Sequence, residues 1–313
     1  MPRFSFLSDD TEGNELPIQH EPENKLVFSL KDYSKKSYHS SHHNEMYING
    51  SIITDFSHEQ EFDIELLTQN PAPEILLSVN RTTYEDGLGL QERFGGLLKN
   101  VTDLKNVLQL KLTQFGKIQA VTNKAALREK WDTLKQEILK EPEIQALPAD
   151  LLRQMLQKGD EEYSDNYPLQ VDLEKSLFHS TLFRGFYNQS FLLDQRYPVS
   201  NLLLVSGFFE ELKIPMNVHL EVAYDQQYDE YILKYEGNVD KMNFDTNKAK
   251  ALYSKQYPFL QEKFERYAMD FQAMHVISKQ DNWLKFARVN VHEQINHSIE
   301  SLINLEIEEV ENV

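Results

Sequence analysis

Residues 291–297 read Val-His-Glu-Gln-Ile-Asn-His, and the conformation assigned to this stretch sets the architecture of the last third of the chain. It resembles the pattern H-E-x-x-H, in which one helical turn aims two imidazoles at a single metal, with the glutamate as general base. Here His292 and His297 are five residues apart rather than four. At about 3.6 residues per turn that is roughly 140° around a helix, so the rings face different ways. Only a π-bulge would restore the register, and such bulges are rare. No third ligand follows at a metal-site spacing. The stretch therefore reads as a surface helix carrying two unrelated histidines. Ile295, Ile299, Leu302 and Ile303 extend it into a final helix over 292–304, after a strand from Trp283 to Val291.

Upstream, Leu260, Phe264, Tyr267, Phe271 and Met274 predict a helix over 258–275. Before that, Val218, Leu220, Val222 and Tyr224 alternate, as do Tyr231, Leu233 and Tyr235, giving a hairpin within 216–245. The first half alternates like a sheet over 45–122. Phe62, Ile64 and Leu66 share one face, as do Ile75, Leu77 and Val79, and Leu108, Leu110 and Leu112. Asn49-Gly50 is a turn signal and Gly116 breaks the third strand. Helices follow over 123–187. Leu127, Trp131, Leu134 and Ile138 form the stripe of the first, Gly159 ends a second, and Asp172 caps a third. Strands grouped before helices predict an α+β fold.

The organisation expected is a flexible acidic arm over 1–24, a β-rich then helical region over 25–190, a hairpin with helices over 191–305, and an acidic tail over 306–313. The second and third regions form one domain or a diverged repeat, since Thr-Asn-Lys-Ala recurs at 122–125 and 246–249.

Composition narrows function. Forty percent of the 313 residues are hydrophobic, enough for a sizeable core. No cysteine is present, which excludes disulfides, thiolate metal sites and cysteine nucleophiles. The net charge of -18, from 32 basic and 50 acidic residues, repels phosphate backbones and points to a protein partner, a basic one included, rather than nucleic acid. The most apolar stretch, 201–209, is about half of a membrane span, so a soluble cytoplasmic chain is expected.

The candidate sites are sparse. Tyr38-His-Ser-Ser-His-His-Asn-Glu45 gathers His39, His42 and His43, with His58 downstream, but on a Ser-rich loop without enforced geometry. His219 and Glu221 share one face of a strand, while His179 and His275 lie beside apolar stripes. Gly87, Gly89, Gly95 and Gly96 lack the G-K-[ST] of a phosphate loop, and Ser206-Gly207 lacks G-x-S-x-G because Leu204 stands where glycine is needed. Asp160 and Glu162 resemble the start of a calcium loop, but Asp165 occupies its glycine position and Val171 its glutamate position. No catalytic residue, bound metal or cofactor is expected, and an enzyme is not favoured. Three functions follow, in order. The first is a non-enzymatic protein-binding protein: an inhibitor, adaptor or chaperone. The second is a binder of an apolar small molecule in an aromatic-lined pocket. The third is a hydrolase whose site is assembled from distant Asp, Glu and His residues.

Overall fold

The computed structural model describes residues 25–30, 35–69, 72–87, 100–145, 147–209 and 211–310. Strand alternation dominates it. In chain order the first strands are β1 (Lys25–Val27), β2 (Lys36–Ile48), β3 (Ser51–Thr68), β4 (Glu74–Asp86), β5 (Val107–Leu112) and β6 (Ile118–Val121). Five helices follow: α1 (Lys124–Ile138), α2 (Pro142–Gln145), α3 (Ala149–Glu162), α4 (Leu169–Lys175) and α5 (Leu177–Leu182). Next come β7 (Ser190–Leu192), β8 (Arg196–Val205), β9 (Lys213–Asp225), β10 (Glu230–Val239), α6 (Thr246–Gln256), β11 (Tyr267–Ser278), β12 (Leu284–Ile295) and β13 (Ile299–Val310).

Eleven of the strands form one antiparallel sheet in the order β6-β5-β4-β3-β2-β13-β12-β11-β10-β9-β8, and β1 pairs separately with β7. Neighbours in the large sheet are consecutive strands except at β2–β13, where an early and the last strand meet. The turns carry the chemistry that hairpins need. Asn49 and Gly50 join β2 to β3 with φ of 51° and 75°, the left-handed pair of a two-residue hairpin loop. Asn296, φ 54°, opens the turn between β12 and β13.

The sheet has one apolar face, here called inner, and one polar face, called outer. Val218, Leu220 and Val222 of β9 are buried, while Asn217 and His219, on either side of Val218, are exposed. The helices lie over the inner face. The ring of Phe178 in α5 meets that of Phe62 in β3 edge-on at 5.0 Å, and residues of α5 also contact β12.

This architecture overturns the α+β expectation of amphipathic helices packed on sheet segments: the protein is mostly one large antiparallel sheet with few helices. The ranges 258–275 and 292–304, read as helices, hold β11, the end of β12 and the start of β13. In β11 the buried residues are Tyr267, Met269, Phe271, Ala273, His275 and Ile277, a strict period of two. Tyr267 and Phe271 satisfy both periods at once, and the weakly apolar Ala273 and His275 hid the shorter one. In 291–307 the inner positions are Val291, Glu293, Ile295, Ile299, Ser301, Ile303, Leu305 and Ile307. Glu293 and Ser301 interrupt the apolar alternation, and they are cross-strand partners. Over 123–187 helices do form, but in short pieces. Ser176 is extended and separates α4 from α5, so no single helix runs from Asp172 to Phe186. The expected strands over 45–122 and 216–245 are present as β2–β6 and β9–β10.

Helix α1 buries Leu127, Trp131, Leu134 and Ile138, as its stripe predicts. Its contact with α3 explains Gly159. A Cβ there would stand 2.2 Å from Cζ2 of Trp131, so the glycine serves close packing and α3 continues past it to Glu162. Trp131 is 4% exposed, stacks on Tyr163 and donates from Nε1 to Asp160 Oδ1 at 2.8 Å. Trp131→Ala is expected to cost about 3–5 kcal/mol, read from urea unfolding, through the cavity and the lost hydrogen bond. A loss below about 1 kcal/mol would place the ring outside the core.

Candidate functional site

Strand geometry redistributes the histidines. Tyr38 to Glu45 is part of β2 rather than a loop, so His39 and His43 point to the outer face and His42 to the inner one. His42 is the register partner of His58, and their Nδ1 atoms are 3.3 Å apart. Burial, then the charge of His58, pushes His42 down to about 4. On the outer face, His43 Nε2 is 3.0 Å from Asp55 Oδ1. In the 291–297 stretch, His292 lies on the outer face of β12, 2.6 Å from Glu300 Oε1, and His297 is exposed in the following turn. The two rings are therefore apart for a reason of strand and turn, not of helical phase. His219 and Glu221 face outward on β9. His219 lines a half-open concavity of about 660 Å³ with Asn217, Glu236, Asp270 and His292. Asp160, Glu162 and Asp165 each bond to a different cation, Lys135, Lys105 and Arg128, and do not converge. Residues 1–24, Gly89, Gly95 and Gly96 lie outside the described residues.

The glutamate of the opening stretch turns inward. Glu293 is 1% exposed and accepts three hydrogen bonds: from Ser206 Oγ, from Tyr267 OH at 2.6 Å and from the Gly207 amide at 2.7 Å. Ser206 Oγ in turn accepts from the amides of Phe208 and Phe209, both at 3.1 Å. The carboxylate thus fastens the 206–209 turn to the inner face. Burial pushes its carboxyl up to about 7, against the lowering effect of these donors.

A second polar cluster lies on the inner face where α5 ends. The guanidinium of Arg184 sits over the rings of Tyr235 and Phe271, its carbon 5.4 and 5.1 Å from their centroids. Its Nε and Nη2 are buried and have no hydrogen-bond partner among the described residues. His275, fully buried on β11, has its ring 5.4 Å from that of Tyr235 and its Nε2 3.1 Å from the Thr181 carbonyl. That contact makes Nε2 the donor and leaves Nδ1 a bare acceptor. Among the described residues Nδ1 has no partner, and neither has Thr181 Oγ1. Burial first, and then the Arg184 charge, pushes His275 down to about 3, so it is neutral beside the cation. Aromatic rings continue the wall: Phe186 is 6.4 Å from His275, and Phe28 packs edge-on against both Phe186 and Tyr231. Two unpaired nitrogens of one cation, with two more unpaired polar atoms at the neighbouring His275–Thr181 contact, are an unusual concentration.

Nothing in the sequence singles out Arg184, and Glu293 enters only as the general base of the rejected H-E-x-x-H pattern. Glu293 had a signal, an acidic residue in step with Val291 and Ile295. Arg184 follows a short helix in an irregular segment and had none.

The raised Glu293 carboxyl makes stability depend on pH. The folded chain holds this proton more tightly than the unfolded chain, whose carboxyl titrates near 4.5. The stabilising contribution is therefore complete below pH 4.5 and lost as the pH rises to about 7. Glu293→Gln, which mimics the protonated form, should gain on the wild type by on the order of 3 kcal/mol between the two ends of that window, measured as urea unfolding free energies. Parallel pH profiles for the two chains would remove Glu293 as the titrating group.

No family model matches the chain, and no curated protein matches it. Among solved structures, one described as "Lipid-protein interactions in lipovitellin" is similar at a TM-score of 0.46 and 8% identity, over 90% of this chain and 26% of that one. This chain thus spans about a quarter of the length of the structure it resembles. Among the described residues, no helix is long and apolar enough to cross a membrane.

Proposed function

We propose that this chain is a binding protein for a small apolar molecule bearing a carboxylate, held on the inner face of the sheet with its charged end at Arg184. The observation that carries the reading is the unpaired edge of that guanidinium. Arginine stays protonated at any ordinary pH, and an ion buried without a partner costs several kcal/mol. The two ring faces return about 0.5–2 kcal/mol each. Nε and Nη2 together form the side of the guanidinium that grips a carboxylate through two parallel bonds. Thr181 Oγ1 is a further donor, and the bare His275 Nδ1 can accept from a hydroxyl or a water. The surroundings suit an apolar body, since Phe28, Phe186, Tyr231, Tyr235 and Phe271 line the same face. Of the three functions expected from the sequence, the geometry supports the second better than the first.

The test uses dodecanoate and oleate with their methyl esters as probes, followed by titration calorimetry on the full chain. The acids should bind, the esters should bind at least tenfold more weakly, and Arg184→Gln should weaken the acids by a similar factor. Arg184→Met should raise the unfolding free energy of the ligand-free chain by about 1–4 kcal/mol, because it removes an uncompensated buried charge. Equal affinity for acid and ester, no binding of either, or unchanged binding in Arg184→Gln would overturn the reading. A less stable Met variant would mean that the cation is a structural post for the two rings.

A further inference from the structure

The outer face of β2 and β3 carries a second, independent site. We infer that His43, Glu45 and Asp55 bind a divalent transition-metal ion of the Zn²⁺ kind. Glu45 and Asp55 are register partners, so two carboxylates stand directly opposite each other across the strand pair. Like charges in that relation repel, and a cation between them removes the conflict. His43, two residues along β2, places Nε2 3.0 Å from Asp55 Oδ1 and 3.9 Å from Glu45 Oε1. One ligand atom from each of the three lies within 4.8 Å of the others. Metal–ligand bonds of about 2.0–2.2 Å hold neighbouring donors roughly 3–3.5 Å apart, so small side-chain rotations close the set.

The scaffold favours a fixed geometry. β2 is paired on both sides, by β13 and β3, and β3 by β2 and β4. Asp55 is held from behind by Gly87, whose amide donates to the Asp55 carbonyl at 2.9 Å. Any Cβ at Gly87 would stand 2.2 Å from Asp55 Oδ2, so the missing side chain is what makes room for the carboxylate. The Tyr47 hydroxyl lies beside the Glu45 carboxylate, within reach to orient it from outside the ligand set. One imidazole with two carboxylates, partly open to solvent, suits a borderline ion, and Zn²⁺ outranks Mn²⁺ and Fe²⁺ in such a set.

The strand pair supplies its own control. His42 and His58, on the opposite face, also present two imidazole nitrogens 3.3 Å apart. The experiment is calorimetric titration of the untagged full chain with Zn²⁺ at pH 7.5. One equivalent should bind. His43→Ala and Asp55→Asn should each weaken binding at least tenfold, Tyr47→Phe should weaken it severalfold, and His42→Ala should leave it unchanged. Circular dichroism of each variant establishes that the sheet is retained. If Zn²⁺ does not bind at 100-fold molar excess, if His43→Ala binds as the wild type does, or if His42→Ala abolishes binding, the assignment is overturned. The last result would place the ion on the inner pair instead.

Discussion

Twelve consecutive register pairs between Ser37–Ile48 and Ile299–Val310 hold the two ends of the chain in one sheet. Every other contact between neighbours in the large sheet joins strands adjacent in sequence, so each half could form hairpins alone. The β2–β13 ladder is what turns two sets of hairpins into a single surface. It also fixes which residues face inward on both halves, because a slip of one residue would exchange the faces of a whole set. Leu305 and Ile307 are buried on the inner side and set His42 and Ser40 there with them, while Asn304 sets His43 on the outer side.

A sheet of this width has an apolar face too large to leave in water, and the short helices and the 183–192 segment cover it. That cover brings polar groups inward at two places. At Glu293 the polar group is satisfied, with three donors arranged around a carboxylate that burial would otherwise exclude. At Arg184 it is not satisfied by any of the described residues. The two sites share the inner face of β11, Glu293 through Tyr267, and Arg184 through Phe271 and His275. One is a clamp that the fold completes. The other presents unused hydrogen-bonding capacity beside aromatic walls, which is the combination a ligand with one charged end requires.

The same strands serve different chemistry on their two faces. Along β2 and β3, His42 and His58 look inward, half-buried, and burial lowers their affinity for a proton, while His43 and Asp55 look outward among charges. Farther along the outer face, His219, Glu236, Asp270 and His292 continue the polar surface across β9 to β12. Glu306, bonded to Arg288, is on this side of the sheet, while Glu309, bonded to Lys36, is in register with Tyr38 at its end. These last residues, expected to be part of a tail, complete β13 as far as Val310.

Local pattern was enough wherever the alternation was purely apolar. Phe62 and Ile64, Leu108 to Leu112, and Val218 to Val222 were each placed on the correct face, and Asn49-Gly50 marked its turn because only a left-handed pair closes so short a hairpin. Trp131 was legible because Leu127, Leu134 and Ile138 repeat at the helical period around it. The reading failed where a polar residue occupies an inner position. Glu293, Ser301 and His275 are buried by partners distant in sequence, Ser206, Tyr267 and Thr181 among them, and no periodicity can announce a burial that tertiary hydrogen bonds make affordable. The same holds for the sites. The sequence determined that His39, His42 and His43 are close along the chain. Only the sheet decided that alternation separates them, that Asp55 and Glu45 join His43, and that Arg184 lies over Tyr235 and Phe271, because those meetings depend on strand register and not on spacing.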